Sequence, residues 1–136
     1  MHNFDSKKIK EIAEKYGLKL LLLFGSQVTG KTHKFSDFDF GYIASRDMSY
    51  SERGSLDVDL SRLVKNEAEA VNLKNVGPLF KYEIIKNNKI LYGEKNEYEY
   101  FFVQALQEYF ESDRLFAVRD SVIANKINEL KKVYAE

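Results

Sequence analysis

The sequence predicts a mixed α/β domain of the α+β class, a short mixed sheet flanked by helices. Three observations carry that expectation. Residues 18–25, LKLLLLFG, form a continuous apolar run closed by glycine, as a strand buried on both faces does. Residues 37–44, DFDFGYIA, alternate with period two, as a strand with two unlike faces does. Elsewhere apolar residues recur at helical spacing, first in 6–16 and again from about 96 to the end.

Each element follows from its residues. Ile9, Ile12, Ala13 and Tyr16 fall at i, i+3, i+4 and i+7, so 6–16 is a helix, with Ser6 placed to cap its start and Gly17 to end it. The strand 18–25 comes next, then a short polar loop, SQVTGKTHKFS, then the alternating strand. Residues 50–65 read as a helix beginning near Ser51, with Gly54 its weak point. EAVNL (69–73) is a short strand. Pro78 suits the first turn of a helix running to about Lys86. Asn87-Asn88 makes a turn into the strand KILYG (89–93). From Asn96 onward there is neither Pro nor Gly. Phe102, Leu106, Tyr109, Phe116, Ile123, Ile127, Leu130 and Tyr134 then predict one helix, or two divided near Ser112-Asp113. With no repeat, linker or low-complexity stretch, residues 1–136 read as a single domain whose end, about 96–136, is a helical tail.

Composition narrows the function. The 21 basic residues balance 21 acidic ones, whereas a general nucleic-acid coat is strongly basic, so no direct nucleic-acid binding is expected. The absence of cysteine removes disulfide scaffolds, Cys-based zinc sites and thiol catalysis, and agrees with a cytoplasmic location. His2 and His33 stand 31 positions apart, so a metal would be held mainly by carboxylates. The N-terminus has no apolar core of signal-peptide length, and the longest apolar run is far too short to span a membrane.

The segment LLLLFGSQVTGKTHKFSDFDFGYI carries two phosphate-handling patterns. Gly25-x4-Gly30-Lys31-Thr32 is a formal P-loop match. A P-loop needs a full helix after the Lys-Thr pair, and only His33 to Ser36 remain before the Asp-Phe alternation starts. The second pattern is Gly25-Ser26, then ten intervening residues, then Asp37-Phe38-Asp39. Gly25 lets backbone approach a ligand closely, and Ser26 opens a short helix able to hold nucleotide phosphates. Asp37 and Asp39, two apart on a strand, project from one face and can chelate Mg²⁺. Phe38 and Phe40 in the core place that face on the opposite side. Asp-x-Asp on a strand is also often plain solvated charge, but the flanking strand context favours chemistry here.

LFGSQVTGKTHKFSDFDFGYI resembles the signature of the minimal nucleotidyltransferases, small members of the DNA polymerase beta-like superfamily. Gly25, Ser26, Gly30, Ser36, Asp37 and Asp39 match its Gly-Ser, later Gly and Ser-Asp-x-Asp. VNLKNVGPLFKYEIIKNNKILYG is similar to the later strand, helix and strand, and the length and helical tail resemble the MntA-type antitoxin branch. The resemblance implies a polymerase beta-like nucleotidyltransferase fold and transfer of AMP from ATP with release of pyrophosphate. It implies Mg²⁺, with room for two ions, as cofactor. It implies a HEPN-domain ribonuclease toxin as partner, silenced by modification of a tyrosine hydroxyl. Gly25, Ser26, Gly30, Lys31 and Ser36 then bind nucleotide, and Asp37, Asp39 and Glu69 are the catalytic and metal-binding carboxylates.

This chain departs from the family pattern at two places. Where the family places a third Asp, alignment on VNLKN puts Glu69, whose extra methylene moves the carboxylate. The usual loop Arg is replaced, with Thr29 near its place; Lys31 is either its substitute on phosphate or an ordinary loop lysine. Asp57 and Asp59 read as exposed helix faces, and His33 as a solvated loop residue. Two other functions stay in view: an antitoxin of this fold that is catalytically weak or silent and acts by covering its toxin, and an adenylyltransferase acting on a small hydroxylated molecule.

Overall fold

The structure is a computed structural model and describes residues 4–30 and 37–134. Its elements alternate along the chain. They are α1 (Ser6–Tyr16), β1 (Leu18–Phe24), α2 (Ser26–Thr29), β2 (Phe38–Ala44), α3 (Tyr50–Val64), β3 (Ala68–Asn72), α4 (Pro78–Lys86), β4 (Asn88–Gly93) and α5 (Lys95–Tyr134). The four strands form one mixed sheet in the order β3-β2-β1-β4. β1 runs antiparallel to both β2 and β4, and β2 runs parallel to β3.

β1 is central because its side chains are apolar on both faces. Leu18, Leu21 and Leu23 pack with Phe38, Phe40 and Tyr42 of β2 against Ile9, Ala13 and Tyr16 of α1 and Leu56 and Leu60 of α3. Leu20, Leu22 and Phe24 face the other way, onto Ile84 and Ile85 of α4 and Phe101 and Ala105 of α5. Leu20 to Leu23 are essentially inaccessible. Truncating any one of them to Ala would cost about 2–5 kcal/mol.

Several boundaries follow from capping chemistry. Asp5, one residue before the expected Ser6, caps α1 by accepting the Lys7 amide at 2.9 Å. Gly17 closes α1 in the left-handed region at φ 65°. Ser49 and Glu52 form a capping box on α3, which tolerates Gly54 in its exposed second turn. Pro78 opens α4 as its composition predicts.

The tail takes the single-helix form of the two expected. α5 is one helix of 40 residues, about 60 Å long at 1.5 Å per residue, and Ser112-Asp113 does not interrupt it. Its first part docks through Phe101 and Ala105, with Tyr98 and Leu106 beside them, and not through Phe102. A part-buried ion pair, Lys81 to Glu108 at 2.9 Å, and a stacked ring pair, Tyr82 on Tyr109 with centroids 3.8 Å apart, bind α4 to α5. Beyond Ser112 every residue with a described side chain is exposed, including Leu115, Val122, Ile123, Ile127 and Leu130. Among the described residues no helix is long and apolar enough to cross a membrane.

Candidate active site

At one end of the sheet, β1, β2 and β3 bring three sequence-distant residues together. Phe24, the last residue of β1, pairs with Asp39, and Asp39 pairs in parallel register with Glu69. Phe38 and Phe40 turn into the α1/α3 core, so Asp39 lies on the opposite face, as the alternation predicts. Glu69, its register partner, shares that face. Both line a pocket of about 420 Å³ together with Gly25 and Thr29. Asp37, just before β2, lines an adjoining pocket of about 330 Å³ with Asp57, Glu67 and again Glu69. Glu69 thus borders both spaces.

Gly25 is required where it stands. Its backbone, φ 79° and ψ −153°, belongs to a region that only glycine enters freely. A Cβ there would lie 2.6 Å from Asp39 Oδ2. Backbone and carboxylate therefore approach as closely as a hydrogen atom permits. The Gly25 carbonyl accepts the amides of Val28 and Thr29 at 3.0 and 3.2 Å, which winds α2. Ser26 takes the first helical position, where a backbone N–H has no intrahelical acceptor. Gly30 ends α2 at φ 81°, and a Cβ there would meet nothing within 4 Å among the described residues. Lys31, His33 and Ser36 lie outside the described residues.

β3 is an edge strand, and α3 supplies what its outer edge lacks. Asp57 accepts the Ala70 amide at 2.9 Å, and Ser61 Oγ accepts the Ala68 amide at 3.1 Å. Those two bonds flank Glu69 and set its height opposite Asp39. Asp57 is accordingly half-buried and structural, not an exposed helix face. Asp59 differs from expectation in the same way. It accepts Tyr16 Oη at 2.6 Å and Lys15 Nζ at 2.9 Å, which joins α3 to α1. Both corrections have one cause: α3 lies across the sheet edge and α1, so its polar residues meet backbone and side chains instead of water.

The electrostatics concentrate on Asp39. Burial pushes its carboxyl above the ordinary carboxylate range, and the charges of Asp37 and Glu69 push it further. Among the described residues no cationic side chain pairs with any of the three. No three acidic or histidine groups among them close into a cage by themselves either. An all-oxygen set of mutually repelling carboxylates without a closed cage suits Mg²⁺, which keeps waters and takes one or two carboxylates plus substrate phosphates. The P-loop alternative fails on topology, because both neighbours of β1 are antiparallel and a helix of four residues occupies the interval between Gly25 and Gly30.

The family model described as Polymerase beta, Nucleotidyltransferase matches residues 7–97, about two thirds of the chain. The chain belongs to the polymerase beta nucleotidyltransferase family. Within curated proteins it is similar to the protein adenylyltransferase MntA of Shewanella oneidensis (strain MR-1), 27% identical over 110 residues, 79% of this chain and 78% of that protein. Among solved structures it is similar to a toxin-antitoxin crystal structure with AMP-PNP, with TM-score 0.71 and 24% identity, covering 90% of this chain and 98% of that one. It also resembles the structure of the tri-AMPylated Shewanella oneidensis HEPN toxin in complex with MNT antitoxin. There the TM-score is 0.64 and the identity 22%, over 90% of this chain and 95% of that one. These likenesses show a common fold.

The pocket of this nucleotidyltransferase has a wall that sequence reasoning missed. Phe80, Glu83, Ile84 and Asn87 of α4 and its C-cap close the side facing the carboxylates. Nothing in the local pattern marks them, because α4 reaches the site only by packing on the face of β1 that carries Leu20, Leu22 and Phe24.

Proposed function

We propose that this chain is a protein adenylyltransferase antitoxin that moves AMP from ATP onto a tyrosine hydroxyl of a HEPN-domain ribonuclease and so neutralises it. One observation carries the reading: within a nucleotidyltransferase fold, Asp39 and Glu69 stand in register on one face beside a glycine whose added Cβ would meet the Asp39 carboxylate. The likeness to the adenylyltransferase MntA supports the choice of AMP and of a protein acceptor.

In this reading Gly25 admits the triphosphate against the backbone, and the Ser26 hydroxyl and N–H donate to its oxygens. Gly30, Lys31 and Ser36 complete the nucleotide site. Asp37, Asp39 and Glu69 would hold Mg²⁺, which when bound polarises the α-phosphate and stabilises the departing pyrophosphate. A tyrosine hydroxyl, of pKa about 10, reacts faster as its proton leaves. Glu69, exposed between the two pockets, accepts that proton. The acceptor oxygen forms its bond to the α-phosphorus as the bond from that phosphorus to the β-phosphate's bridging oxygen breaks. The reaction takes place in the cytoplasm, where ATP and the partner meet. The exposed apolar residues of α5 beyond Ser112 give the partner its docking surface.

The test supplies ATP labelled at the α-phosphate, Mg²⁺ and a HEPN-type partner encoded beside this chain. Label on the partner, lost with Asp37→Asn and Asp39→Asn, is the expected result. A tight complex without label would favour an antitoxin that acts by covering alone, a reading motivated by Glu69 in place of Asp. Glu69→Asp separates the two: a large gain would mark a degraded site, and a loss would mark a site built around Glu.

A further inference from the structure

We propose that the α4 wall of the pocket seats the adenine of the nucleotide, with Phe80 as its stacking surface and Asn87 as the reader of its edge. The inference rests on the nucleotidyl-transfer reading and extends it from the phosphate end to the base end.

The pocket is two-ended, as a nucleoside triphosphate is. Gly25, Thr29 and Asp39 line one side, and Phe80 and Asn87 the other. Its volume of about 420 Å³ lies within the roughly 300–1,000 Å³ usual for small-molecule sites. The triphosphate seat proposed at Gly25 and Ser26 leaves the α4 side of the pocket for the base. Lys86 pairs with Glu83 at 2.9 Å, which keeps that carboxylate from competing for the base.

Phe80 is an exposed aromatic anchored on a buried one. It is 45% accessible, yet its ring meets the buried Phe24 ring edge-to-face at 5.7 Å and 87°. A fixed ring with an open surface is a stacking platform that costs little entropy to use. Asn87 is held by its backbone, whose N–H donates to the Ile84 carbonyl at 3.3 Å. Its side-chain amide makes no hydrogen bond among the described residues. An amide offers one donor beside one acceptor, which matches the adjacent amino group and ring nitrogen of adenine. A phenol ring from a protein acceptor would leave that amide pair unused.

The experiment is calorimetric titration of the full chain with the Mg²⁺ complexes of ATP, GTP and tripolyphosphate. The unaltered chain should bind ATP at least tenfold more tightly than tripolyphosphate. Phe80→Leu keeps an apolar contact with Phe24 and lacks the ring. It should weaken ATP by roughly five- to a hundredfold, the range one base–aromatic stack supplies, and leave tripolyphosphate unchanged. Asn87→Asp should lower the preference for ATP over GTP about tenfold. Unchanged ATP affinity in Phe80→Leu, with a raised KM for the protein acceptor, would overturn the base seat and give the ring to the acceptor. If the unaltered chain binds no nucleotide, the transferase reading falls and takes this inference with it. If it binds and transfers AMP while both variants match it, only the base seat falls.

Discussion

Replacing Gly25 by alanine should separate folding cost from chemical cost. The residue sits at φ 79° and ψ −153°, where a side chain costs of order 1–3 kcal/mol. The new Cβ would lie 2.6 Å from Asp39 Oδ2, against the 3.4 Å at which ordinary contact begins, so the carboxylate must retreat by about 0.8 Å. Misplacing a reacting group by about 1 Å costs on the order of a hundredfold in rate. Gly25→Ala should therefore lose about 1–3 kcal/mol of stability and about two orders of magnitude of AMP transfer. Gly17→Ala is the control. Gly17 also has positive φ, at 65°, but it caps α1, and its new Cβ would meet Ser45 Oγ at 3.0 Å, away from the site. It should cost about 1–2 kcal/mol and leave transfer intact. Thermal unfolding reads the first quantity, and label from the α-phosphate of ATP on the partner reads the second. A folded Gly25→Ala chain that transfers at the parent rate would refute the reasoning, because Asp39 would then not depend on the bare backbone beside it.

Three other outcomes follow from the geometry. Burial, then Asp37 and Glu69, hold the Asp39 carboxyl above its ordinary 3.8, so the folded chain binds that proton more tightly than the unfolded chain does. Ionised Asp39 therefore costs stability at neutral pH, and the cost fades as the pH falls through its raised pKa and is gone below about 4, the unfolded value. Asp39→Asn should accordingly melt above the parent at pH 7 in EDTA, with the difference vanishing below about pH 4; an equal advantage at both would contradict the assignment. Lys81→Ala strands Glu108 at the α4/α5 junction and should cost about 2 kcal/mol in denaturant unfolding, while Lys81→Met with Glu108→Leu should recover most of it. Ile123→Asp with Ile127→Asp, on the exposed part of α5, should change stability by less than about 1 kcal/mol yet abolish co-elution with the HEPN-type partner; retained co-elution would place docking elsewhere.

Much of this protein could be read along the chain. The period-two alternation of DFDF fixes, by strand sterics alone, that Asp39 opposes Phe38 and Phe40. Stripe spacing and Gly17 bound α1, and Pro78 starts α4, because caps and breakers act over one turn. Gly25 was legible as a close-approach residue from the strand-glycine-serine order. The identity of its neighbour, Asp39 Oδ2, was not, since that depends on the antiparallel register of β1 and β2.

Tertiary structure decided the rest. Asp57 and Asp59 looked solvated because helical periodicity distinguishes apolar from polar positions but not water from a neighbouring amide. Only the packing of α3 over the β3 edge and against α1 gave them partners. Ser and Asp are modest helix formers, so the chain alone left one helix or two open at Ser112-Asp113, and α5 runs through them without interruption. The sequence by itself determined the strand–helix order, Asp39 on the outer face of β2 and the glycine beside it, because these rest on local backbone geometry. Glu69 opposite Asp39, the α4 wall of Phe80 and Asn87, and the exposed half of α5 were decided only in three dimensions. They depend on which strand becomes an edge and which helix covers it, and those pairings are settled by burying apolar surface between segments far apart in the chain.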